Sequence, residues 1–209
     1  MWEEEYGDKV ILALRQKYAE IQWESQSIGE GIRMGGRERS VHREWLFEGK
    51  CSLLLPDTFT DMDEIDAAAR YRNGNRPQII KAERNGDGAL TFSLLPREER
   101  EGKVGTAAML EDIRGNMSKI WKQAVFYDRG EVQAGERKIP WMDLKTFCLN
   151  GALYSLIFLF DAGEDVAMGN FHCSFQRYDI WKPVILKLLT SLEVTTLEVE
   201  EKNHERLSD

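Results

Sequence analysis

The sequence predicts an α+β fold in which an antiparallel sheet is flanked by helices on both sides, an α/β/α sandwich preceded by a helical arm. Three observations predict it. Residues 153–160, LYSLIFLF, are apolar on both strand faces apart from Ser155. Such a strand belongs at the centre of a sheet that is covered twice, although a pocket or a second copy could cover one side instead. Asn85-Gly86-Asp87-Gly88 and Asn150-Gly151 are turn sequences that tolerate positive φ and join antiparallel neighbours. Residues 104–122 and 179–192 repeat apolar side chains at helical spacing and supply the covering layers.

Taken in order, residues 8–24 (DKVILALRQKYAEIQWE) carry Val10, Ile11, Leu14, Tyr18 and Ile21 along one helical stripe, with Asp8 as N-cap. Glycines 29, 31, 35 and 36 then read as a flexible linker. Residues 40–56 form two strands around Glu48-Gly49-Lys50, closed by Pro56, and 61–72 a short helix capped by Asp61. A hairpin covers 78–95. The long helix 104–122 presents Val104, Ala108, Ile113, Met117, Ile120 and Trp121 to the core. Strands follow over 124–132, 138–149, 152–160 and 165–175, then a helix that buries Trp181, Val184, Ile185, Leu188 and Leu192. Pro183 is tolerated there because first-turn amides lack an intrahelical acceptor. The organisation is therefore 1–40 arm and glycine-rich linker, 41–192 α/β domain, and 193–209 a tail with six acids against two bases.

With 42% apolar and 31% charged residues, the 209-residue chain suits one folded domain. Its formal charge of −8 argues against nucleic acid as the main partner. The apolar run 152–160 is about half of what a spanning helix requires. MWEEEYGDKV lacks the basic start and apolar stretch of a secretory signal, so no membrane insertion and a cytoplasmic location are expected. Cys51, Cys148 and Cys173, odd in number and far apart, suit reduced thiols.

The element order and three stretches, CSLLLPDTFTDM (51–62), RPQIIKAERNGDGALTFSLL (76–95) and MGNFHCSFQRYDIWKPVILKLLTSLE (168–193), resemble the PsbP-like superfold. That α/β/α sandwich is shared by an extrinsic oxygen-evolving-complex protein, a yeast Ran-binding nuclear-transport factor, and the bacterial DcrB and Eag secretion-chaperone families. Uncharacterised cytoplasmic proteins of Gram-positive bacteria are similar. The resemblance covers roughly residues 41–193 and carries no catalytic motif. It implies a role in binding other proteins, by analogy alone.

The residues point the same way. His172 and Cys173 are adjacent in a strand, so their side chains leave opposite faces and cannot act as a nucleophile–base pair. Cys173 joins Phe171 and Phe175 on the core face; His172 is expected to be partly buried and hydrogen-bonded on the other. A Cys148–His172 pair across strands would lack an orienting third group and an oxyanion site. His42, His172 and His204 show no metal-ligand spacing. GEGIRMGG (29–36) follows a helix and lacks the Gly-Lys-Ser/Thr end of a phosphate loop. The acidic clusters read as solvated helix starts and tails.

Trp141 shares a strand face with Asp143, Lys145 and Phe147. It is read either as a binding anchor or, preferably, as packing under the long helix. The arm helix, with Tyr18 and Trp23, must dock on its own domain, a second copy or another protein. The expected function is a non-catalytic cytoplasmic protein-binding domain, adaptor or secretion-chaperone-like, with partner contacts at Trp141, His172, Trp23 and Tyr18. No enzyme activity, cofactor or metal is expected. The competing expectation is a small-molecule-binding protein or enzyme with a pocket between sheet and helix near His172.

Overall fold

A computed structural model describes residues 28–34, 36–72, 76–86, 88–95, 105–149 and 151–195. The helix expected over 8–24, with Tyr18 and Trp23, lies outside these residues, as does the tail beyond 195.

Seven antiparallel strands form the main sheet: β5 (Phe59–Asp61), β6 (Ile79–Glu83), β7 (Gly88–Leu95), β8 (Val125–Ala134), β9 (Arg137–Cys148), β10 (Gly151–Ala162) and β11 (Asp165–Ser174). Their order across the sheet is β5-β6-β7-β11-β10-β9-β8. The β8–β9–β10–β11 meander is local in sequence, each strand pairing with the next, and Gly135, Gly151 and Gly163 at its three connections all sit at positive φ. Among the described residues two smaller sheets accompany the main one. One is the hairpin β1 (Ile32–Met34) and β2 (Arg37–Arg39). The other joins β3 (Val41–Leu46), β4 (Cys51–Pro56) and β12 (Glu193–Val194). The helices are α1 (Glu64–Arg70), α2 (Thr106–Ile120) and α3 (Tyr178–Leu189).

β10 is the central strand that its two-sided apolar sequence predicts. Leu156, Phe158 and Phe160 face a core built with Phe92, Phe171, Trp181, Val184, Ile185 and Leu188, closed by Leu46, Leu53 and Leu55 of the small sheet. Ile157 and Leu159 face the opposite way, onto Met142, Leu144 and Val166, beneath Leu110, Ile113 and Met117 of α2. The main sheet thus has α3 and the three-stranded sheet on one face and α2 on the other, the α+β sandwich expected from the sequence. Burying two such faces is the dominant favourable contribution to stability. Gly169 pairs with Phe158, whose ring lies directly over it, so any Cβ there would overlap the ring.

Four details differ from the sequence reading. The glycine-rich segment packs: Ile32 and Met34 are buried in the main core, because β1 alternates apolar, charged, apolar (Ile32, Arg33, Met34) and lays one face on the protein. The short helix is capped by Asp63, whose carboxylate accepts from the Asp66 amide at 2.8 Å, and Asp61 instead belongs to β5. The long helix ends at Ile120, so its buried stripe stops at Met117; Ile120 is 74% exposed and Trp121, past the last turn, 49%. Trp141 does not pack under that helix. Strand alternation sends Met142 and Leu144 to the α2 face and Trp141 and Asp143 to the α3 face, where the Lys182 ammonium sits 5.2 Å from the Trp141 ring centre.

Candidate partner-binding surface

The strands of the main sheet come into line at one end. Gly88, Cys173, Tyr154, Lys145 and Val125 form a single row across β7, β11, β10, β9 and β8. Beyond that row β9 runs on through Phe147 and Cys148 and turns at Leu149, while α2 ends and α3 begins close by. Among the described residues, ten large hydrophobic side chains are exposed, and eight belong to this end: Ile120, Trp121, Val125, Tyr127, Phe147, Leu149, Leu153 and Tyr178. Scattered exposed apolar residues need no explanation; a cluster at one pole marks an interaction surface. Leu149, at the apex of a hairpin where polar turn residues are usual, has no protein cover at all.

The aromatic rings are ordered by contact. Phe175 stacks on Tyr178 at 4.9 Å between centroids and on Tyr127 at 6.0 Å, and Tyr178 leans on Tyr154 at 5.6 Å. The Lys145 ammonium lies 4.1 Å from the centre of the Phe175 ring and 4.9 Å from that of Phe147. Cation–π attraction therefore holds a charged head within an apolar cluster.

Below these rings a buried polar network fixes the frame. The Asp143 carboxylate, 1% exposed, accepts from the Tyr154 hydroxyl (2.9 Å) and the Asp128 amide (2.7 Å), and pairs with Lys182 at 2.8 Å. Lys182 also pairs with Asp128. The Asp128 amide is available because the β8–β9 register shifts between Phe126 and Arg129, a bulge that strengthens the local twist. Burial, then the neighbouring Asp143 charge, pushes the Tyr154 hydroxyl far above the usual tyrosine range. Burial alone would lower the Lys182 ammonium, but its bonds to Asp128 and Asp143 outweigh that and raise it.

His172 lies on the other face of the sheet, opposite Ser155. Its Nε2 is 3.0 Å from the Tyr71 hydroxyl, just past α1, and the two rings meet edge to face at 5.9 Å. Burial, with a smaller contribution from the nearby Arg70 charge, pushes the imidazole down to about 4, so it is neutral near pH 7. Its buried Nδ1 has no hydrogen-bond partner among the described residues, and neither does the buried Asn170 Oδ1 two positions along the strand. Cys173 is buried in the opposite core. Cys148 is exposed at the hairpin end of β9, with β10 lying between it and the strand of His172.

Of the residues singled out from sequence, Trp141 is 9% exposed beneath Lys182, and His172 lies on the sheet face opposite the α3 side of the aromatic cluster. Val125, Tyr127, Phe147, Leu149 and Tyr178 escaped sequence reasoning. One signal was there: Phe147 and Leu149 lead directly into Asn150-Gly151, apolar residues where a hairpin apex is usually polar.

The architecture is that of a PsbP-like α+β protein. No family model matches the chain, and no curated protein matches its sequence. Solved structures do. The cyanobacterial PsbP protein CyanoP from Synechocystis sp. PCC 6803 superposes with a TM-score of 0.54 at 13% identity, over 82% of this chain and 98% of that one. The Saccharomyces cerevisiae Ran-binding protein Mog1p superposes with a TM-score of 0.50 at 9% identity, over 75% of this chain and 96% of that one. At such identities the likeness concerns the fold. Among the described residues no helix is long and apolar enough to cross a membrane.

Proposed function

We propose that this chain is a non-catalytic protein-binding domain acting in the cytoplasm, as an adaptor or in the manner of a secretion chaperone. The exposed aromatic and aliphatic cluster at the β9–β10 end carries the reading, because tryptophan, tyrosine and phenylalanine in a cluster are the typical anchors of an interface. The fold analogy supports it more weakly, since Mog1p is itself a Ran-binding protein. Partner capture from the source cell, with wild-type protein and with Phe147→Ser/Leu149→Ser, tests it. Partners retained equally by both, or by neither, would remove this surface from consideration. Self-association through the N-terminal segment is the other protein-binding form of the reading. Light scattering of the full chain and of a chain lacking residues 1–27 separates it, a dimer that survives deletion speaking against it.

A second reading has its own observation. The unpartnered His172 Nδ1 and Asn170 Oδ1 share one sheet face, and buried polar atoms normally find partners. They could orient a small polar ligand, as a binding protein or an enzyme would. A small-molecule extract that shifts the His172 ring signals in NMR spectra of the wild type would promote this reading; unchanged signals would dismiss it.

A further inference from the structure

We infer that the β9–β10 end of the sheet takes an acid-rich protein segment carrying aromatic or aliphatic anchor residues. This deepens the binding role proposed above and rests on it. Charge is the first argument. The chain has 36 acids against 28 lysines and arginines, yet the segments that build this end reverse the balance. Residues 119–127, 145–153 and 174–179 contain Lys119, Lys122, Lys145 and Arg177, and a single acid, Asp179. The Asp179 carboxylate accepts from the Ile180 amide at the start of α3, and Asp128 nearby is paired with Lys182. Lys119 and Lys122 are exposed and make no ion pair among the described residues. An acidic protein that gathers cations around its largest apolar cluster favours a partner of opposite sign, and such complementarity sets encounter rate and specificity.

Placement is the second argument. Lys145 is not at the rim. It lies over Phe175 and Phe147, inside the cluster. An anionic bilayer would accept Leu149 and Phe147, but inserting them would carry the Lys145 ammonium toward hydrocarbon, at high cost. A peptide carboxylate instead pairs that ammonium where it stands, while anchors on either side settle against Trp121, Tyr127, Phe147 and Tyr178.

Panning a random displayed peptide library against the full chain, and against Lys119→Glu/Lys122→Glu/Lys145→Glu, tests the inference. Wild-type protein should enrich sequences that combine Asp or Glu with Trp, Phe or Leu, and the triple variant should lose them. A synthetic copy of an enriched peptide should bind the variant roughly tenfold or more weakly, and bind wild type less well as salt rises. Thermal melting establishes that the variant folds; should it not, Lys119→Glu/Lys122→Glu carries the comparison, as both lysines are exposed and make no ion pair among the described residues. Enriched sequences without acids, or equal binding to both proteins, would overturn the inference. So would retention of wild type but not the variant on phosphatidylcholine/phosphatidylglycerol vesicles with no acidic peptide enriched. If cellular partners still depend on Phe147 and Leu149 while no acidic preference emerges, the partner chemistry fails and the binding role stands. If neither appears, both fail.

Discussion

Lys182, in the first turns of α3, places its ammonium 2.8 Å from the carboxylate of Asp143 in the middle of β9. This pair ties α3 to the sheet directly beneath the exposed aromatic cluster. Because Asp143 also holds the Tyr154 hydroxyl and the Asp128 amide, it is the more expensive partner to lose. Asp143→Ala leaves the buried Tyr154 phenol without its acceptor and the partly buried Lys182 ammonium with Asp128 alone, and should destabilise by about 3 kcal/mol. Lys182→Met leaves Asp143 with two donors and should cost less. Urea unfolding of the two variants checks the order, and equal losses would mean that the network does not centre on Asp143.

The same network predicts alkaline weakness. Lys182 is raised in the folded protein, so the stability it contributes is fully present below the ordinary lysine pKa and is lost as pH rises through the folded value. Tyr154 is also raised, so above about pH 10 the unfolded chain sheds a proton that the native state retains, again favouring unfolding. Unfolding free energy should therefore fall between roughly pH 10 and 11 and fall less steeply in Tyr154→Phe, which cannot ionise.

Acid acts through His172. Its folded value of about 4 lies below the ordinary histidine value of 6.5, so the unfolded chain takes up a proton first and stability falls as pH drops from 6.5 toward 4. The contribution is about 2 kcal/mol between pH 7 and pH 5. His172→Gln should flatten that part of the stability curve. Denaturant titrations at the two pH values decide it, and an unchanged slope would show that the imbalance lies in other groups.

Much of this fold was legible because its signals are local. A two-sided apolar run can only be the centre of a covered sheet, and β10 is that strand; alternation alone separated His172 from Cys173. What the sequence left hidden is non-local. Whether Trp121 is core or surface depends on where α2 ends relative to the sheet, at Ile120 rather than at 122. Trp141 was correctly set beside Asp143 on one strand face. Which helix covers that face is decided by the route of the chain between β11 and α3, which periodicity does not encode. Ile32 and Met34 were hidden by neighbouring glycines, whose turn-forming role here is to fold the segment back onto the core. The surface at the β9–β10 end is non-local in the same way, since it joins residues from five elements, α2, β8, β9, β10 and α3.

Gly169 offers a sharper test of the core. Phe158 lies over it from the adjacent strand, in contact so close that alanine cannot be added without moving the ring. Gly169→Ala should destabilise by about 1–3 kcal/mol or more through overpacking, despite the usual preference of strands for a side chain over glycine. Combining it with Phe158→Leu should recover part of the loss, because the smaller side chain vacates the position the methyl needs. Losses that simply add in the double variant would place the strain elsewhere.

The turn between β3 and β4 sets packing against backbone strain. Phe47 and Glu48 both adopt left-handed backbone conformations, at φ 52° and 57°, before Gly49 at 88°. Each non-glycine residue held there costs about 1 kcal/mol or more relative to an unstrained conformation. Glu48 is exposed and contributes little else, so Glu48→Gly should leave stability unchanged or raise it by up to about 1 kcal/mol. Phe47 is partly buried against the main core, and Phe47→Gly should lose more in packing than it recovers in strain. Thermal melts should therefore show a lowered midpoint for Phe47→Gly and an unchanged or raised one for Glu48→Gly, from the same change of backbone freedom. A parallel drop in both would mean that the Glu48 side chain has a structural role of its own at this turn.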